Sequence, residues 1–207
     1  MLLFALRRSR IFPPAPPEAS MDTLLALLLG LGLAAAVGLR IFVPFLVISL
    51  AAHTGHLELA AGQEWIGSTP ALVMFATATL LEAAAYQIPW VDHLLDMAAG
   101  PAAAVCGTII MASAVVELAP LIKWPVAIIA GGGTAGLIRG LGSSARATST
   151  VTTGGVANPV VAAGETAGSA VLSVTAVALP VLAGLLALAL VAAVVKGGRR
   201  LLRRRRV

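Results

Sequence analysis

The chain has 207 residues, of which 59% are apolar and 11% charged, and its mean hydropathy is +0.98. A soluble domain carries about 25% charged residues, so this sequence lacks the polar surface needed to cover itself in water. What remains is an all-α, polytopic membrane bundle, with length for roughly five to seven spans of about 20 residues each. The formal charge of +5 does not point to nucleic acid, because Arg7, Arg8 and Arg10 and six arginines from Arg199 to Arg206 carry it. Residues 21–195 hold four cations against eight anions and stand at −4. The arginine tail has no interleaved aromatics, so it reads as an anchor for anionic headgroups on the cytoplasmic side.

In chain order, residues 1–20 hold three arginines and then Pro13, Pro14, Pro16 and Pro17, with no apolar run long enough for a signal peptide. They read either as a disordered leader or as a misplaced start, with Met21 the true first residue. The membrane domain is expected over 21–196 and a basic cytoplasmic tail over 197–207. The first apolar run, 24–52, is too long for one simple crossing and is interrupted at Arg40 and Pro44; it predicts a long helix bent near Pro44. The loop 54–69 is acidic, without Lys or Arg, which suits the outer side. The second span is expected at 70–89, the third at 98–118 and the fourth at 126–141. Pro120, Lys123, Trp124 and Pro125 mark the boundary before the fourth. The last span is expected at 167–195, with Pro180 inside it. The single cysteine, Cys106, lies among small residues and reads as a packing group.

The stretch 142–164, rich in Ser, Thr and Gly, stands apart and would make a poor lipid-facing helix. Irregular backbone at membrane depth is tolerated only when it is buried in protein or lines a wet cavity. The segment is therefore expected to be a broken crossing or a cavity wall. With loop 54–69 outside, this segment must cross for the arginine tail to end in the cytoplasm. That predicts about six crossings, three before Pro120 and three after Lys123, in two inverted halves, 21–120 and 121–196. Weak matches support the halves: Gly30, Gly32, Gly38 and Arg40 open one, and Gly131, Gly132, Gly133, Gly136 and Arg139 or Arg146 open the other.

The residues expected to carry chemistry are charges inside apolar spans, which are costly and normally find partners. Arg40, Glu82, Arg146 and Glu165 form the core of this set, with one arginine and one glutamate in each half. They predict either a substrate or proton path at the midplane or two structural ion pairs. Asp96 joins them from Asp92-His93-x-x-Asp96, in which Asp92 is expected to cap the next helix. Ser149, Thr152, Thr153 and Asn158 supply hydroxyl and amide groups beside Arg146, suited to an anionic headgroup, carboxylate or phosphate. Packing by small polar residues is the competing account. No metal site or cofactor is expected, since His93 with two carboxylates offers too few ligands and His53, His56 and Glu58 read as solvated.

Taken together, Gly38-Leu39-Arg40 with Pro44, Trp65-x-Gly67-Ser68, Glu82, Ile88-Pro89-Trp90-Val91-Asp92, Leu95-Asp96, Arg146-x-x-Ser149-Thr150, Thr153-Gly154-Gly155, Asn158-Pro159 and Glu165 resemble the bacterial membrane proteins grouped as domain of unknown function family 4126. The resemblance covers about residues 21–195. It implies membrane class and motif positions and brings no activity, substrate or cofactor. The sequence thus predicts a small transporter or lipid/solute translocase of the inner membrane, with a non-transporting scaffold as the alternative. An enzyme is not expected; a lipid-modifying one would need Ser149 or Thr152 against Asp96 or His93. The expected partners are membrane lipid, a small anionic solute or lipid headgroup, and a second copy through Gly/Ala faces, with no nucleic acid.

Overall fold

The computed structural model describes residues 21–116 and 118–204. The leader 1–20, Glu117, residues 205–207, the side chains of Pro89, Trp90, Asp92 and His93, and the tail side chains from Arg200 onward lie outside the described residues. Among the described residues there are seven helices: α1 (Met21–Leu39), α2 (Phe42–His53), α3 (Thr69–Ala85), α4 (Pro89–Ala114), α5 (Pro120–Thr153), α6 (Asn158–Ala178) and α7 (Pro180–Arg204). Five of them, α1, α4, α5, α6 and α7, are long and apolar enough to cross a membrane, and α2 and α3 are shorter apolar helices. The chain is a multi-pass membrane protein with an all-helical fold.

Local chemistry sets the ends of these helices. The first apolar run breaks at Arg40–Ile41 and not at Pro44. Pro44 lies in the first turn of α2, where its missing N–H removes no helical bond. Ser68 caps α3 by accepting from the Ala71 amide at 3.3 Å, with Pro70 in the first turn. α4 already begins at Pro89, so Asp92 lies inside the helix and not at its cap. The run expected as one last span splits at Leu179, whose extended backbone (φ −139°) precedes Pro180.

The polar stretch 142–164 is largely helical, against the expectation of irregular backbone. α5 continues through it to Thr153, and α6 begins at Asn158. The hydroxyls explain this. Those of Ser144, Thr148, Thr150, Thr152 and Thr153 each donate to the carbonyl four residues earlier at 2.7–2.9 Å. Their polarity is absorbed by the helix itself, which lets a Ser/Thr-rich helix sit in an apolar solvent. The break is confined to 154–157, where Gly154 and Gly155 take φ of +64° and +86°, values that L side chains resist.

α1 is the central helix, packed against α4, α5, α6 and α7. Residues 32–38 of α1 are all buried, and most are Gly or Ala. Such residues let backbones approach closely where no hydrophobic force separates helix from lipid. A Cβ on Gly38 would lie 2.7 Å from the Ala135 carbonyl oxygen and 2.6 Å from the Ile138 Cβ. Beside this contact, α5 carries a π turn at Ala127–Gly132; Pro125 lacks the amide that would continue the regular ladder. At the far end of α4 the loop folds over the bundle, with the Ala60 amide donating to Ser113 O at 2.9 Å and Ser113 Oγ bonded to the Gln63 side chain.

The Gly38 contact yields a prediction. Gly38→Ala should lower the stability of the detergent-solubilised protein by about 1–3 kcal/mol through overpacking. Gly100→Ala, where nothing lies within 4 Å, should be neutral or stabilising. Thermal unfolding followed by tryptophan fluorescence compares the two, and equal melting temperatures would contradict the close packing of α1 on α5.

Candidate functional site

The break between α1 and α2 leaves two amides with no carbonyl to meet. Ile41 N and Phe42 N donate to the two carboxylate oxygens of Glu82 on α3, at 3.0 and 3.1 Å. Glu82 thus caps α2 from another helix, where a negative charge also suits the helix dipole. It makes no ion pair with Arg40 among the described contacts. Of the two ion pairs that Arg40, Glu82, Arg146 and Glu165 allow, Arg146 with Glu165 is present at 3.2 Å, whereas Glu82 serves the freed amides.

Arg40 points the other way. Its Nη2 donates to Ala162 O of α6 at 2.8 Å and lies 3.6 Å from Glu165. Glu165 also approaches Arg146 at 3.2 Å. Neither Glu165 oxygen makes a hydrogen bond of good geometry, so the attraction is through space, in a buried setting where it is weakly screened. Arg146 lies 2.7 Å from Asp96 Oδ1, and the same oxygen accepts from Arg139 at 2.5 Å. One continuous chain results: Arg40, Glu165, Arg146, Asp96, Arg139. Tyr86, at the end of α3, stands at its centre. The Arg40, Arg146 and Arg139 guanidiniums lie 3.8, 4.8 and 5.5 Å from its ring centroid, within cation–π range, and Arg139 donates to its hydroxyl at 2.6 Å.

Five of the nine sequence-predicted site residues, Arg40, Glu82, Asp96, Arg146 and Glu165, gather in or beside this cluster. Ser149 is buried on α5, and its Oγ has no hydrogen-bond partner. Thr152 and Thr153 face away, bonded to their own helix, and neither Ser149 nor Thr152 is hydrogen-bonded to Asp96. Thr150 is the threonine that turns toward the site. It accepts from Asn158 Nδ2 at 3.1 Å. Arg139 and Tyr86 are functional neighbours that charge counting missed as site residues. Arg139, Gly142 and Arg146 follow one helical face at i, i+3 and i+7, and Gly142 leaves room for the Glu165 carboxylate.

Asp96 and Arg146 form the boundary between this cluster and a cavity of about 840 Å³. Tyr86 and Gln87, the turn at Gly154–Val156, Thr150, Asn158 and Pro159 form part of its wall. The segment 142–164 is therefore a cavity wall as well as a helix pair. Asp96 and Ser113 are both on α4, seventeen residues or about 25 Å apart, close to the ~30 Å thickness of a hydrocarbon core. With the Ser113 end held by loop 54–68, Asp96 and the cavity lie toward the opposite end of α4.

A family model described as "Domain of unknown function (DUF4126)" matches residues 27–200. The chain belongs to this family. No curated protein and no solved structure matches it. The family match spans every helix that builds the cluster, so the site lies within the shared domain. The membership assigns no chemistry to it.

Arg139 supplies the prediction for this site. Removing one partner of a buried ion pair costs about 3–5 kcal/mol, so Arg139→Gln should cost about that much. Lys123→Gln, at a half-buried position near the start of α5, should cost under about 0.5 kcal/mol as an ordinary peripheral change. Chemical unfolding in mixed micelles reads both, and a silent Arg139→Gln would show that Asp96 does not depend on it.

Proposed function

We propose that this protein is a small transporter or translocase that binds an anionic group in the cavity beside Asp96 and Arg146 and passes it across the membrane. The observation that carries this reading is the junction itself. A buried, interlinked charge cluster meets an open cavity at Arg146 and the partly exposed carboxylate of Asp96. Charges inside a membrane bundle are retained at a cost and are by default functional. Hydroxyl, amide and guanidinium groups on one wall are the donors that a carboxylate or phosphate requires.

In the same reading the chain crosses the membrane six times as two inverted halves, 21–120 and 121–196. The arginine tail lies in the cytoplasm of a bacterial inner membrane, which puts the acidic loop 54–69 outside and the cavity toward the cytoplasmic leaflet. The positive-inside rule supports that orientation. The rival reading is a non-transporting scaffold, favoured by Arg40 and Arg139 being only 1% exposed, as expected of structural ion pairs.

Proteoliposomes separate the two. Wild-type protein should accelerate either the exchange of labelled phospholipid between leaflets or the uptake of a small anion such as phosphate. Arg146→Gln should reduce that rate at least about tenfold, the effect of losing one charge-assisted hydrogen bond, while eluting as folded protein. No acceleration by folded wild-type protein in either assay would favour the scaffold.

A further inference from the structure

We propose that the first half of α4, Pro89–Gly100, is a gate on the cavity, hinged at Gly100–Pro101 and latched by Asp96. This rests on the transporter reading above and names the part that moves.

Packing divides α4 at residue 100. In the second half Ala103, Gly107, Ile110, Met111, Ala112 and Ala114 are buried. A Cβ on Gly107 would lie 2.8 Å from the Gly131 carbonyl oxygen, so this half is locked against α5. In the first half, Ala99 is the one buried residue among the described side chains from Val91 on, and Leu94, Met97 and Ala98 are exposed. A helical segment with so few buried contacts opens locally at low cost.

The junction between the halves favours a bend. Pro101 lies inside the helix, where it offers no amide to the Met97 carbonyl and its ring crowds that oxygen. Gly100 beside it has open space where a side chain would stand. Prolines in this setting are where helices kink. The far end of the segment is also lightly held. Ile88, extended and half exposed, belongs to the short link that joins α4 to Tyr86. A segment that swings between two such ends moves most at its middle, where Asp96 and Met97 lie.

Asp96 is the latch. Among the described side chains of the segment it is the one that bonds to another helix, reaching Arg139 and Arg146 of α5. Asp96 and Met97 also line the cavity, together with Ser143, Thr150 and Asn158 of α5 and α6. Release of the carboxylate therefore frees the segment and widens the cavity in one movement. A translocase must open its site to each side in turn, and a loosely packed helix half on the cavity wall supplies that motion.

The test places spin labels at Leu94→Cys and Val151→Cys, both exposed, in a Cys106→Ala background of the full-length protein. Double electron–electron resonance in nanodiscs reads their separation. A kink change of about 20° moves Leu94, about 9 Å along the helix from Gly100, by about 3 Å. Wild type should show two separations that differ by about that much or more. Asp96→Asn should raise the ratio of the longer to the shorter about tenfold, the effect of losing a charge-assisted bond. Pro101→Ala, at an exposed position, restores the missing amide and should leave only the shorter one. The same variant should slow the phosphate uptake or phospholipid exchange of wild type in proteoliposomes.

A single separation shared by wild type and folded Asp96→Asn would overturn the gate, even in a protein that transports. Two separations that persist in Pro101→Ala would overturn the hinge. Where Asp96→Asn does not fold, the Pro101→Ala comparison decides alone. A segment that swings in a protein moving neither phosphate nor lipid would uphold the hinge and overturn the transporter reading.

Discussion

Three guanidinium groups buried around one tyrosine ring must have their charge answered within a few ångströms, and the arrangement of the helices follows from how that is done. Among the described contacts each carboxylate is shared: Glu165 between Arg40 and Arg146, Asp96 between Arg146 and Arg139. The members come from the α1–α2 break, α4, α5 and α6, so the cluster ties together elements that are distant in sequence. Desolvating such charges is expensive, and their attraction offsets the cost only when geometry holds them in place. Position is therefore the constraint.

Close packing supplies the position. α1 reaches its neighbours through small residues, and at Gly38 the contact with α5 leaves no room for a methyl group. That contact sits two residues before Arg40, so it sets the height of Arg40 against Arg139 and Arg146. The helix break at Arg40–Ile41 then has two effects. It aims the arginine at α6, and it exposes the two amides that hold Glu82 in place. A continuous helix through residue 41 would satisfy those amides internally and leave Glu82 as a surplus buried anion.

Much of this was legible in the sequence and some was not. Membrane class follows from composition, and the rarity of charge within apolar runs singles out Arg40, Glu82, Asp96, Arg146 and Glu165. Their pairing could not be read, because it depends on a backbone break whose freed amides compete for Glu82. Arg139 was open to detection through its spacing from Gly142 and Arg146, but it was weighed only as an alternative to Arg146. Tyr86 carries no charge and gave no signal. The stretch 142–164 misled through composition: its hydroxyls bond back along the helix, so polarity there does not mean irregular backbone. Thr150 makes the same back-bond as Thr152 and Thr153 and in addition accepts from Asn158 across the turn.

A cluster this interlinked resists reading as independent ion pairs, and its one partly exposed member, Asp96, is also where it meets the cavity. Stability and function then converge on the same contact. A double-mutant cycle on Asp96 and Arg146 measures it, with Asp96→Asn, Arg146→Gln and the double variant unfolded in the same micelles. The account predicts a coupling of at least about 1 kcal/mol, the double variant losing clearly less than the sum of the singles. Additivity within about 0.5 kcal/mol, the range for independent sites, would contradict it.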